Sequence, residues 1–485
     1  MVFSSIVFIY FFLPFTLALY FLIGNQYKNF FLLCASLIFY AWGENFFVLV
    51  MLLSITANYI FGLLIERYKK HQLSKFFFIV AVAFNLLLLC AYKYSNFIVD
   101  NINLLLSCIQ VEPLFLRPIH LPIGISFFTF QAISYIIDVH RGETSAQKNL
   151  INMGVYIASF PQLIAGPIVR YHDVAQQIKS RYVTRSDFLA GIERFILGLG
   201  KKVLIANPVA VTVDRIFALP LSDLSTPMAW LGVICYSIQV YFDFSGYSDM
   251  AIGLGRMFGF RFMENFNYPY IAKSIQDFWQ RWHISLTSWI RDYLFFPIAL
   301  RRRKWRIWGM IYALVITYSL IGLWHGACWN FVLWGMYHGF FMIMEQIGFS
   351  KVLNRRILPL RILYVNIILF FSWPLFRAET LTDAVSYIVT MVNFSPGNHV
   401  EHYITYYLNN EGALALILGI VFATPVYPMI KKQKAVLTGK LKTGLQLLCN
   451  NVFAVSNTMM LISILLFSVM SVASGSYNPF IYFRF

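Results

Sequence analysis

His325 stands in the segment Ile321-Gly-Leu-Trp324-His325-Gly-Ala-Cys328-Trp-Asn330, with strongly apolar sequence on both sides. An ionisable side chain is expensive inside an apolar segment, which makes it a functional hypothesis by default. Imidazole has an unperturbed pKa of roughly 6.5 and can take a proton near neutral pH. The spacing leaves two readings open: a catalytic base, or a histidine satisfied by a carbonyl at a turn between helices. Cys328 shares a face with His325 only if the helix continues, and reads as packing more than as a thiolate relay. A second block, Asp277 to Tyr293, crowds Arg281, Trp282, His283, Ser285, Arg291 and Asp292 together. On one helix Arg281 and Ser285 would share a face, as would Ser288 and Asp292. His283 and Asp292 lie about two and a half turns apart and would not pair directly. A third block, Tyr241 to Asp249, ends an apolar run and carries Asp243, Ser245 and Asp249. Two acids at membrane depth suit a cation or a sugar hydroxyl; at an interfacial helix end they would simply reach water.

Composition sets the frame for these residues. Hydrophobic residues are 59% of the 485 and charged residues 12%, against about 25% charged in an average soluble domain. Aromatics at 18% fit belts of Trp, Tyr and Phe at two membrane interfaces. Apolar runs of helical length recur at 5–24, 29–43, 45–65, 76–92, 121–139, 187–206, 227–247, 307–325, 327–346, 361–377, 412–428 and 453–474. The expected fold is therefore all-α and polytopic, with about 11–12 transmembrane helices in a single domain over 1–485. No charged side chain precedes Lys28, so the first run reads as a permanent helix, not a signal peptide.

The net charge of +17 raises nucleic acid as a partner, but loop placement explains it better. Basic residues gather at 66–75, 170–185, 301–304, 351–361 and 431–434, with Lys440 and Lys442. Placing these inside puts the N-terminus, 94–120 and 395–411 outside. Residues 151–169 carry Pro161, Gly166 and Pro167 and read as re-entrant, since irregular backbone at depth needs protein or a water-filled cavity around it. Residues 243–306 are too polar to span and read as short amphipathic or buried helices on the cytoplasmic side. The six cysteines show no metal or disulfide spacing. The glycines of 253–259 miss the dinucleotide fingerprint, and Gly198 to Lys202 is no phosphate loop.

Taken together, these blocks resemble the membrane-bound O-acyltransferase family, and within it the alginate O-acetyltransferase branch. The similarity runs through Met1 to Ser5, Phe39 to Trp42, Leu121 to Phe127, Ser134 to Val139, Phe160 to Pro167, Tyr241 to Gly255, Gly259 to Phe266, Phe278 to Tyr293 and Gly322 to Gly326. It is close over most of the first 345 residues, with the catalytic part at about 120–345, and fades after Glu379. The resemblance implies a ring of helices around a thin centre and O-acyl transfer inside the membrane. It implies His325 as the catalytic residue, with His283 and Asp292 as further catalytic candidates. Trp324, Arg281, Trp282, Arg291, Asp243, Ser245, Asp249 and Asn265 are the implied substrate-binding residues.

The same resemblance implies a cytoplasmic acyl thioester donor, acetyl-coenzyme A or another acyl thioester, with no permanently bound cofactor and no metal. It places the protein in the bacterial inner membrane. The acceptor is then an exported polysaccharide, reached directly or through an extracytoplasmic acetyltransferase or esterase-like partner. Peptidoglycan O-acetylation and D-alanyl transfer to teichoic acid are the rivals within the family. A transporter with a proton relay is the rival outside it, though no internal repeat supports that.

Overall fold

The computed structural model describes residues 1–164, 166–394, 397, 404–439, 443–475 and 479. Ala165 in the 151–169 segment, most of the 395–403 stretch, and Lys440 and Lys442 of the last basic cluster lie outside the described residues. Among the described residues every regular element is helical. Six helical stretches among the described residues are long and apolar enough to cross a membrane, and the pair Asn410–Phe422 and Val426–Thr438, bent by 56°, makes a seventh if it forms one span. One of the six, Asn25–Arg67, has 43 residues, or about 64 Å of helix, which is twice the hydrocarbon thickness. It divides at Asn45, where φ is 44°, into Lys28–Glu44 and Val48–Arg67. Further apolar runs are met by helices near the lower limit for spanning, such as Ile125–Arg141 with 17 residues and Trp329–Met344 with 16.

Thr226–Met257 is different in kind. Its 32 residues are long enough to cross, and nearly all of them from Met228 onward are buried in protein. The expected break at 243 is absent: residues 243–257 continue this helix through the core. Its polarity is tolerated because the neighbouring chain supplies matching cations. Lys202 Nζ lies 2.6 Å from Asp243 Oδ1, Lys201 Nζ 2.6 Å from Asp249 Oδ2, and Arg194 Nη2 2.7 Å from Asp249 Oδ1. Hydropathy alone sees an interrupted segment, whereas the pairing allows a continuous buried helix. The expected short helices do follow, at Ile275–Arg281, Ile284–Ile290 and Phe296–Arg301.

Close backbone contact locks this helix to Arg185–Gly200. A Cβ on Gly198 would meet the Gly246 carbonyl oxygen at 2.6 Å, and one on Gly253 would meet that of Gly191 at 2.6 Å. Small residues allow such approach where helices lack a hydrophobic drive to associate. The glycines that superficially suggested nucleotide loops are packing residues.

The 151–169 segment behaves as a non-spanning element. Leu150–Ala158 has nine residues, about 13.5 Å of helix, too short to cross. The described residues that follow, up to Val169, are buried and are held by hydrogen bonds: the Phe160 N–H donates to Ser36 Oγ (3.0 Å), and the Tyr156 hydroxyl donates to the Gln131 and Val169 carbonyls (3.0 and 3.3 Å). Buried irregular backbone is thus satisfied by its protein surroundings.

Candidate active site

The Ile307–His325 helix ends at the histidine itself. Gly326 is extended (φ −163°) and the next helix, Trp329–Met344, begins after Cys328. Cys328 therefore does not share a helical face with His325. The two helices form a tight hairpin: a Cβ on Gly322 would lie 2.2 Å from the Phe331 carbonyl oxygen, and one on Gly335 would lie 2.2 Å from that of Tyr318.

His325 is 6% exposed. Its ring is held by aromatic edges: Trp324 at 4.8 Å, Trp334 at 5.0 Å and Phe376 at 5.4 Å between centroids. Among the described residues no carboxylate pairs with it, so its position depends on packing and on how the helix end is fixed. That fixing comes from the Gln72–Lys93 helix. Lys93 Nζ donates to the Trp324 carbonyl, and the Tyr94 hydroxyl donates to the Leu323 carbonyl at 3.1 Å. A cavity of about 60 Å³ opens there, lined among others by Lys93, Ser126, Phe127, Trp324 and His325.

Trp324 stacks on Phe130 (5.3 Å, 17° between planes), and Phe130 stacks on Trp289 (4.1 Å, 3°). On its other side the Trp324 ring is 6.5 Å from the His283 ring. Trp324 thus neighbours both histidines.

His283 sits in the left-handed region (φ 46°, ψ 54°) between Ile275–Arg281 and Ile284–Ile290. This break defeats the single-helix expectation, because Arg281 and Ser285 no longer share a face. Arg281 pairs with Asp277 at 2.7 Å, and Ser285 turns to Asn265. Asn265 Oδ1 accepts from the Ser285 hydroxyl (2.9 Å), the Ser285 N–H (3.1 Å) and His283 Nδ1 (3.1 Å). Donation from Nδ1 leaves the lone pair on Nε2, which is buried and without a partner among the described residues. Burial pushes the imidazole down to about 3, so the ring is neutral at physiological pH. The Ser285 hydroxyl also accepts the Ile168 N–H at 3.0 Å, tying the re-entrant segment to this histidine.

The sequence has known counterparts. The family model described as "MBOAT, membrane-bound O-acyltransferase family" matches residues 128–375. The chain is 40% identical, over the whole of both chains, to the Azotobacter vinelandii protein described as "Probable alginate O-acetylase AlgI". It is 44% identical to the protein so described from Pseudomonas aeruginosa, over 81% of this chain and 75% of that one. The Helicobacter pylori "Peptidoglycan O-acetyltransferase" is 30% identical over 100% of this chain and 98% of that one.

The chain belongs to the membrane-bound O-acyltransferase family. As an O-acyltransferase it needs a base, a bounded chamber and access for two substrates, and the remaining expected residues divide by where they lie. His325 and Trp324 come together at the cavity. His283 and Asn265 come together behind Trp324. Trp282 is buried in an aromatic cluster with Phe266 and Phe278, 5.1 and 5.6 Å away.

Asp292 is not brought to His283. Its carboxylate lies 2.9 Å from Arg170 and 2.7 Å from Arg291. Burial pushes that carboxyl up, but the two arginines outweigh it and hold it below the usual range. Asp243 and Asp249 are held by Lys202, and by Lys201 with Arg194, which fits neither water-facing acids nor an open sugar site. The Ser245 hydroxyl is buried beside them without a partner among the described residues. No cluster suited to a metal ion occurs among the described residues. Residues that the sequence reading missed are Lys93, Ser126, Phe130, Trp334 and the organising role of Ser285. Lys93 carried a signal: a lysine closing an apolar helix at the expected outer side runs against the positive-inside bias.

Proposed function

We propose that this acyltransferase moves an acetyl group from acetyl-coenzyme A, on the cytoplasmic face of a bacterial inner membrane, to an exported alginate-like polysaccharide. The observation that carries it is His325, the terminal residue of an apolar helix, lining a cavity beside the Trp324 stack. Full-length similarity to proteins described as alginate O-acetylases supports the substrate class. An acceptor hydroxyl attacks the thioester carbonyl carbon, a C–O bond forms, and His325 takes the hydroxyl proton. The C–S bond then breaks and the thiolate leaves with that proton. The surrounding aromatic rings exclude water, which limits hydrolysis of the thioester. Basic loops such as Arg301 to Lys304 suit the phosphates of the donor.

The hydroxyl belongs to the polymer, or to an extracytoplasmic acetyltransferase or esterase-like protein that passes the acetyl group on. Peptidoglycan is the second acceptor to test, because a relative described as acting on it aligns over the full chain. The test is acetyl-thioester consumption by purified protein in detergent, with and without polysaccharide. Wild type consumes the thioester in an acceptor-dependent way and His325→Ala does not. Equal consumption by His325→Ala at equal protein level overturns the role of the histidine. Transport of the thioester without cleavage overturns the enzyme reading.

A further inference from the structure

Attack on a thioester carbonyl places negative charge on the carbonyl oxygen, and a base alone does not stabilise it. Acyl-transfer sites supply donors aimed at where that charge develops. The backbone around His325 offers little, because the helix ends there. Its last carbonyls point towards the site, and a helix C-terminus carries partial negative charge. A cationic donor is needed to offset both.

Lys93 is placed for it. It ends the Gln72–Lys93 helix, is half-buried, and lines the same cavity as His325. Its Nζ donates to the Trp324 carbonyl, lies 3.5 Å from Ser126 Oγ, and sits 5.5 Å from the Trp324 ring centroid. An ammonium carries three donors. One is spent on Trp324 and one turns towards Ser126, which leaves a third for the cavity.

Resting on the acyl-transfer reading above, we infer that Lys93 is a catalytic residue that donates to the thioester carbonyl oxygen as the acceptor attacks. When the acceptor oxygen bonds to the carbonyl carbon, the π pair moves to the carbonyl oxygen and Lys93 Nζ donates to that oxyanion. The pair returns as the C–S bond breaks, and the thiolate receives the proton that His325 took from the acceptor. Lys93 keeps its own protons throughout.

Tyr94 separates this role from mere support. It clamps the neighbouring Leu323 carbonyl and, unlike Lys93, is not among the residues lining the cavity. Lys93→Met, Lys93→Arg, Tyr94→Phe and His325→Ala are purified in detergent and compared for acetyl-thioester turnover, KM and thermal unfolding. Lys93→Met should lose 100-fold or more in kcat with little change in KM, the size expected for one oxyanion donor. Lys93→Arg, which keeps a donor, should recover at least a tenth of the wild-type kcat. Tyr94→Phe, which loosens the end of the His325 helix but removes no donor from the cavity, should fall at least tenfold less than Lys93→Met. Lys93→Met with wild-type kcat, while His325→Ala is inert, overturns the role of Lys93 and leaves the acyl-transfer reading standing. An active His325→Ala overturns the role of the histidine, and the absence of thioester turnover in the wild type overturns the acyl-transfer reading itself. An equal fall in Lys93→Arg and Lys93→Met, matched by a fall in Tyr94→Phe, assigns Lys93 to support and also overturns the inference.

Discussion

The Ser285 hydroxyl donates to Asn265 Oδ1 over 2.9 Å while accepting the Ile168 N–H at 3.0 Å. One hydroxyl therefore joins the loop before the His283 helix to the irregular segment after Leu150–Ala158. His283 depends on that junction, because Asn265 Oδ1 also receives its Nδ1 proton. Asn265→Leu removes an acceptor from three donors and leaves them buried. It should cost about 1–3 kcal/mol in stability. Released from Asn265, the His283 ring and the Trp324 stack beyond it shift, and a displacement near 1 Å is worth about a hundredfold in rate. Thermal unfolding and thioester turnover on the same preparation check both effects; unchanged turnover would remove His283 from the catalytic chamber.

A second expectation concerns pH. His172 Nδ1 lies 2.9 Å from Asp138 Oδ2 and its Nε2 lies 3.2 Å from Asp173 Oδ1. Hydrogen bonding to Asp138, then to Asp173, raises the imidazole from 6.5 to about 10, against the opposing effect of burial. A folded-state pKa above the unfolded one stabilises the fold fully below the unfolded value. That contribution is lost as pH rises towards the folded value. Stability should thus decline between pH 6.5 and about 10, and His172→Gln should flatten the decline. Thermal unfolding of both proteins in detergent across that window measures it, and parallel curves would count against the linkage.

The polytopic body was legible in the residues and His325 stood out among them, because apolar length and an isolated imidazole are local signals. The break at His283 was not: nothing local announces a left-handed residue between two short helices, and a helical wheel drawn through it pairs Arg281 with the wrong partner. Asp243 and Asp249 misled for a related reason. Hydropathy counts a carboxylate as a cost and cannot see the lysine or arginine on the next helix that cancels it. Lys93 escaped notice because it closes an otherwise ordinary span, and its meaning lies in a contact with Trp324 more than two hundred residues away in sequence.

The Lys202–Asp243 pair yields a third expectation. Both side chains are at most 3% exposed and 2.6 Å apart. Removing one member of a buried pair strands the other charge, a loss of about 3–5 kcal/mol. Lys202→Met should therefore unfold earlier or fail to accumulate, and Lys202→Met with Asp243→Asn should recover much of the loss. Comparing detergent-purified yield and unfolding temperature across the two singles and the double resolves it. A double variant no better than either single would mean that the two charges are not coupled.

Gly322 gives the last. Its missing Cβ lets the Ile307–His325 helix approach Phe331, whose carbonyl oxygen would stand 2.2 Å from that carbon. Backbone cannot yield as a flexible side chain can, so Gly322→Ala must move one helix of the hairpin. Overpacking of this kind costs about 1–3 kcal/mol, too little by itself to unfold a body with so large a buried core. The movement falls one turn before His325, on the strand of contacts that sets its ring against Trp334 and Phe376. Turnover should therefore fall much further than stability does, with KM for the thioester less affected than kcat. Gly444→Ala is the control, since a Cβ there would meet nothing within 4 Å, and it should leave both unchanged. If Gly322→Ala lost stability and activity in proportion, the hairpin would be only a frame, and the placement of His325 would have to come from the Lys93 and Tyr94 side alone.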